Sequence, residues 1–387
     1  MKIFLSAFLL ALPFFCTAQR SLKEFRGAWV ATVDHIDWPD TLSAGSERQK
    51  SSLVNLLDMH KANGINAIIF QVRPSADAFY ASPFEPWSQW LTGIQGGAPT
   101  PSYDPLEFLI NETHKRGMEF HAWINPYRAI FNTRTSSVIS THITRLHPEW
   151  FITYGQGKYF DPGNKEARYY VVAIVKDIVE RYNIDAIHFD DYFYPYPIPG
   201  KPFPDEKSFR MNGAGMKKAD WRRSNTDSLV AAVSRMIKAT KKKCRFGISP
   251  FGIWRNISSD PEGSRSRGLS GYDELYADVL LWLRKGWIDY VAPQLYWAIG
   301  NRSAPFEVMT EWWSRHTYGK DCYIGIGYYM AGYNTAWRER TQVPRQIELI
   351  RQTPNMKGMI FYSSRNFVSN PYGWNDSLRL HYFKDGK

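Results

Sequence analysis

The chain has 387 residues, 44% hydrophobic and 22% charged, an ordinary globular balance, but 16% of it is aromatic. A formal charge of +11 favours an acidic partner. The bases are scattered over helix-like segments, however, and the one tight run, Lys241-Lys242-Lys243, sits where cations suit a helix C-terminus.

Lys2 precedes an apolar run from Ile3 to Phe15, and Cys16-Thr17-Ala18 then offers small residues where a signal peptidase reads. Residues 1–18 are expected to be a signal peptide, since the run is too short for a stable membrane span. Bulky Phe14 and Phe15 argue against lipid attachment at Cys16. No later stretch is apolar enough to cross a bilayer, so an exported monomer, periplasmic or secreted, is expected, and export makes nucleic acid a poor partner. Cys244 and Cys322 would then be the remaining cysteines, and two buried thiols are expected in preference to a disulfide framework. No His or Cys spacing matches a metal site, so no metal and no other cofactor is expected.

Strand-like and helix-like segments alternate through residues 19–387 as one domain. Arg26 to Thr32 reads as a strand, Glu47 to Lys61 as a helix closed by Asn63-Gly64, and Ile65 to Val72 as a second strand. Asp104-Pro105 opens a helix to Lys115, followed by a strand from Met118 to Ile124. A helix over Lys165 to Tyr182 leads into the strand Ile184 to Asp190. Asp220 to Thr240, Cys244 to Ser249, Tyr272 to Lys285 and Ile288 to Leu295 continue the alternation. Phe306 to His316, Cys322 to Ile326, Pro344 to Gln352 and Met356 to Tyr362 complete it.

Eight strands, each but the last followed by a helix, predict a (β/α)8 TIM barrel in the α/β class. Helix-to-strand turns are short, whereas Arg73 to Tyr103, Asn125 to Asn164, Asp191 to Ala219, Pro250 to Gly271 and Gly327 to Val343 are long. That asymmetry gathers the irregular chain on the C-terminal face, where barrel enzymes carry their sites. Side-chain alternation turns Ile187 and Phe189 toward the helices and His188 and Asp190 into the mouth. The same parity brings in Gln71 and Arg73, then His121, Trp123 and Asn125, then Gln294 and Tyr296. Each of these residues has a plain structural reading, but polar groups converging from four strands point to a site around Asp190-Asp191.

Six blocks carry a resemblance. Phe25-Arg26-Gly27-Ala28-Trp29-Val30, Ile69-Phe70-Gln71-Val72-Arg73-Pro74, His121-Ala122-Trp123-Ile124-Asn125-Pro126-Tyr127-Arg128, His188-Phe189-Asp190-Asp191-Tyr192-Phe193-Tyr194-Pro195, Ile248-Ser249-Pro250-Phe251-Gly252 and Val291-Ala292-Pro293-Gln294-Leu295-Tyr296-Trp297 occur in this order. Together they resemble the bacterial glycosyl-hydrolase-like family 10, from about Phe25 nearly to the C-terminus. The resemblance implies a (β/α)8 hydrolase of cell-envelope or other polysaccharide; members include hydrolases of peptidoglycan glycan strands stripped of their peptides. Asp185-Ala186-Ile187-His188-Phe189-Asp190 is also similar to the fourth-strand motif of chitinase-like barrels, and Gln294-Leu295-Tyr296 to their sixth-strand tyrosine. This chain departs from that pattern with Tyr192 where their acidic Glu stands.

Glycoside hydrolysis needs an acid for the leaving oxygen and commonly a second carboxylate. Asp190 is the first candidate for catalysis and Asp191 the second, although neighbours on a regular strand point to opposite faces. A partner from Asp34, Asp37, Glu85 or Asp161, or assistance from a substrate 2-acetamido group, would remove that difficulty. Gln71, Arg73, Asn125, Arg128, His188, Tyr192, Gln294 and Tyr296 are expected to position the sugar, and Trp123, Trp254 and Trp297 to stack on it. Arg73 or Arg128 could pair with the lactyl carboxylate of muramic acid. A noncatalytic glycan-binding barrel, a deacetylase and a hydrolase of a dietary or host polysaccharide are the competing readings.

Overall fold

The computed structural model describes residues 24–40, 45–213 and 215–383, so the expected signal peptide lies outside the described residues. The barrel strands are β1 (Phe25–Val30), β2 (Ala67–Arg73), β3 (Glu119–Ile124), β4 (Ala186–Phe189), β5 (Arg245–Ile248), β6 (Tyr290–Val291 and Gln294–Leu295), β7 (Asp321–Gly327) and β8 (Met356–Tyr362). All pairings are parallel, and β8 closes the ring on β1 with Phe25 opposite Gly358. Helices α1 (Ser46–Ala62), α2 (Pro105–Lys115), α3 (Lys165–Arg181), α4 (Lys218–Thr240), α5 (Val279–Arg284), α6 (Phe306–Arg315) and α7 (Gln342–Gln352) lie between successive strands.

Local chemistry sets these boundaries. The Asp104 carboxylate accepts from the backbone N–H of Leu106 at 2.9 Å and of Glu107 at 3.1 Å, with Pro105 in the first turn. Such a cap is worth about 1 kcal/mol against Ala. Asn164 caps α3 in the same way, and Gly64, at φ 78°, takes the chain out of α1. The segment expected as one helix from Tyr272 to Lys285 is instead two short pieces, Gly271–Glu274 and Val279–Arg284, with Tyr276 at φ 54° between them. β6 is interrupted at Ala292-Pro293, where proline has no N–H for the ladder. The stretch between β3 and α3 forms a three-stranded antiparallel sheet (Arg128–Ile130, Gly157–Phe160, Phe151–Tyr154) that alternation along the chain did not announce.

Two apolar layers follow from strand parity. Ile68, Phe70, Phe120, Ala122, Ile187, Phe189 and Ile248 pack outward under the helices, while Trp29, Ile69, Trp123, Tyr290 and Ile360 fill the barrel. The Tyr290 hydroxyl lies 2.9 Å from Nδ1 of both His121 and His188, tying three strands together inside. Gly247 makes room for that ring, since a Cβ there would lie 1.9 Å from it.

At the N-terminal end, Arg245 bonds Glu119 and donates to the Tyr323 hydroxyl at 2.9 Å, which donates to Asp321 at 3.0 Å. Cys244 and Cys322 are free and buried. Among the described residues no helix is long and apolar enough to cross a membrane.

Candidate active site

β4 stops at Phe189, one residue before the expected end, and the chain bends at Asp191. Strand parity therefore no longer applies to the two carboxylates. Both line a single cavity of about 260 Å3 at the C-terminal mouth, together with Gln71, Trp123, Arg128, Tyr192, Ser249, Gln294, Tyr296 and Tyr362. None of Asp34, Asp37, Glu85 and Asp161 lines it.

A directed chain of hydrogen bonds sets the two carboxylates apart. Gln71 Oε1 accepts from the N–H of Thr32 at 2.8 Å and of Val33 at 2.9 Å, which leaves its amide nitrogen to donate to Asn125 Oδ1 at 2.5 Å. Arg128 Nη2 donates to the same oxygen at 3.1 Å. The Asn125 amide is thereby oriented, and its nitrogen donates to Asp190 Oδ2. Asp190 Oδ1 is buried and has no hydrogen-bond partner among the described residues. With Oδ2 accepting from Asn125, Oδ1 is the oxygen left free to carry a proton.

Burial pushes the Asp190 carboxyl well above the usual range, and the neighbouring Asp191 charge pushes it the same way; Arg128 and Asn125 offset this only in part. Burial raises Asp191 above the ordinary range as well, though less far, because the Tyr196 hydroxyl donates to Asp191 Oδ2 and Gln294 also stabilises its charged form. Neutral Asp190 beside ionised Asp191 is the pairing these environments favour.

The cavity opens on two sides. One neighbour, of about 650 Å3, shares Gln294 and Tyr296 with it and is lined by Phe251, Trp297, Tyr329 and Tyr333. The other, of about 370 Å3, shares Arg128, Phe131 and Tyr192 and runs along the Phe151–Tyr154 and Gly157–Phe160 strands past Gly155 and Gln156. Among the described residues, Arg128, Asp190 and Asp191 are the charged side chains of the three linings. The surplus positive charge of the chain lies elsewhere.

The glycosyl hydrolase-like 10 family profile matches residues 24–341, which contain both carboxylates and most of the cleft. The chain belongs to the glycosyl hydrolase-like 10 family. The glycosyl hydrolase YngK of Bacillus subtilis (strain 168) is 43% identical over 385 residues, covering 97% of this chain and 75% of that protein. The glycosyl hydrolase DigH of Escherichia coli (strain K12) is 38% identical over 382 residues, covering 92% and 86%. In fold, this glycosyl hydrolase-like 10 chain is similar to the PgaB (BpsB) glycoside hydrolase domain from Bordetella bronchiseptica, with TM-score 0.56, 13% identity, and 92% and 98% of the chains covered. It is likewise similar to the catalytic domain of β-amylase from Paenibacillus polymyxa, with TM-score 0.58, 12% identity, and 94% and 98% covered. The enzyme is a glycoside hydrolase with a TIM-barrel fold.

Of the residues expected at the site of this glycosyl hydrolase-like 10 enzyme, Asp190, Asp191, Gln71, Trp123, Arg128, Tyr192, Gln294 and Tyr296 line the carboxylate cavity, and Trp297 lines the larger neighbour. Asn125 lies beneath as the link between Gln71 and Asp190. Three expected residues are elsewhere. Arg73 is fully buried in a two-pronged pair with Glu85, at 2.7 and 2.6 Å, so its charge is already matched. His188 is fully buried in the barrel interior, where Trp29 donates to it at 3.2 Å. Trp254 packs in the core against Trp312, 6.1 Å between ring centroids. Tyr196, Ser249, Phe251, Tyr329, Tyr333 and Tyr362 were not anticipated. Alternation from inward Ile360 places Tyr362 at the mouth, so that signal was present; the loop residues carry none.

Proposed function

We propose that the enzyme hydrolyses the glycan strands of an envelope polysaccharide outside the cytoplasm, peptide-free peptidoglycan in particular, with Asp190 as the acid and Asp191 as the second carboxylate. The observation that carries this is the pair's divided environment: one carboxylate keeps an unpartnered, protonatable oxygen, and the other is held by hydrogen-bond donors. Asp190 Oδ1 would protonate the glycosidic oxygen. Asp191 would stabilise the positive charge that develops at the anomeric carbon as that bond breaks, and water would add there, its proton returning to the carboxylate pair. Arg128 has five N–H groups, of which three are engaged, by Pro74 O, Tyr192 and Asn125. The two that remain suit the lactyl carboxylate left when the peptide of muramic acid is removed.

The test is mass spectrometry of products after incubation with intact peptidoglycan, peptide-free strands, chitin oligosaccharides and a neutral plant glycan. Shortened muramic-acid-containing fragments from the peptide-free strands, absent with Asp190→Asn, are expected. Shortening of another polysaccharide alone would reassign the substrate; acetate release without shortening would reassign the reaction.

A further inference from the structure

The larger side cavity is about two and a half times the volume of the one that holds the carboxylates, about 650 against about 260 Å3, and the two adjoin at Gln294 and Tyr296, which line both. A line of rings leads outward from the carboxylates. Tyr362 stacks on Tyr296 at 5.8 Å, and Tyr329 meets Tyr296 edge-on at 5.5 Å. Beyond them, on the loop between β7 and α7, Tyr333 is 74% exposed and Tyr329 47%. Tyr329 keeps nearly half its surface in water despite its contacts with Tyr296 and Tyr362, and Tyr333 keeps most of its own. No charged side chain lines this arm among the described residues, and its polar groups include the amides of Asn301 and Asn334.

Rings for the C–H faces of pyranoses and amides for hydroxyl or acetamido groups are the chemistry of a sugar subsite. The shared wall with the carboxylate cavity selects the occupant, the same glycan strand that is being cut. We propose that Tyr329 and Tyr333 form a distal subsite that stacks on sugar residues beyond the scissile bond and makes turnover depend on strand length. This rests on the glycan-hydrolase reading above. The opposite arm is also lined by rings, Phe131, Tyr159 and Tyr192 among them, and differs in carrying the charge of Arg128.

The test uses the full chain and peptide-free strands fractionated by length. In the Tyr329→Ala/Tyr333→Ala double variant, the ratio of kcat/KM on long strands to that on the shortest cleaved strand should fall about tenfold, through KM. Tyr329→Phe/Tyr333→Phe should keep the wild-type ratio, because the ring and not the hydroxyl does the stacking. An unchanged ratio in the alanine variant, or an equal loss in the phenylalanine variant, would overturn the proposal. So would a change confined to self-association, which would assign the rings to a protein contact. Wild-type enzyme that binds strands without cutting them would remove the hydrolase reading alone, and loss of that affinity in the alanine variant would still support the subsite. Neither binding nor cutting would overturn both.

Discussion

At the N-terminal end of the barrel Glu119 and Asp321 have Arg245 between them, whereas at the mouth Asp190 and Asp191 share Arg128, already engaged by Tyr192 and Asn125. The same residue types give opposite results. Burial would raise Glu119, but the His121 hydrogen bond and Arg245 hold its carboxylate below the ordinary range. Burial first, and the Asp191 charge second, hold Asp190 well above it against the pull of Arg128. Each end has one arginine for two carboxylates, but the Glu119 side chain is 46% exposed and stays a charged strut. The buried Asp190-Asp191 pair is driven toward keeping a proton, and a kept proton is what an acid catalyst requires.

The widest separation between the two ends should appear in turnover. Asp190→Asn should lower kcat by about a thousandfold or more, measured as new reducing ends, because the donated proton is lost while the cavity keeps its shape. Arg245→Met at the opposite end should change kcat by less than about twofold and lower Tm instead. Comparable kcat losses in the two variants would mean that the mouth is not the chemically special end.

How far each end was legible in the sequence follows from what alternation can see. The barrel was readable because Asp104-Pro105 and Asn63-Gly64 mark helix ends by local chemistry and because buried parallel strands keep their parity. Gln71, Trp123 and Tyr296 came with that parity. Arg73 came with it too, yet Glu85, twelve residues later on a loop, captures its guanidinium, and a loop partner is invisible to periodicity. The doubt over Asp190 and Asp191 had the same origin. Parity is a property of strands, and β4 ends at Phe189 before either carboxylate. The Tyr329 and Tyr333 arm lies on a loop whose course is set by tertiary packing, so no sequence period points to it.

A smaller effect sharpens the electrostatic side of the comparison. Arg128 draws the Asp190 carboxyl downward, since a cation favours the ionised form. Arg128→Gln should therefore raise it further. An acid catalyst works while protonated, so the alkaline limb of the kcat/KM profile should move to higher pH even as activity falls. With Asp191 as the ionised partner proposed above, the acid limb would report its carboxylate. A limb that moves to lower pH would place the catalytic proton on a group other than Asp190.

The smallest expected effect is on stability, and it runs against intuition for an active-site substitution. In the unfolded chain Asp190 ionises near pH 4, as any exposed Asp does. In the fold its carboxyl is raised well above that. Over the pH range between the two values the native state binds the extra proton, so stability falls as pH rises from the unfolded pKa. Asn at 190 carries no charge and escapes this cost. Asp190→Asn should therefore melt higher than wild type at pH 7, by about 2 °C, with the gap closing as the pH approaches about 4. Differential scanning calorimetry across that range decides it. A wild type that melts higher than the variant at pH 7 would mean that Asp190 is ionised and paired in the fold like Glu119, and the two ends of the barrel would then differ in position but not in kind.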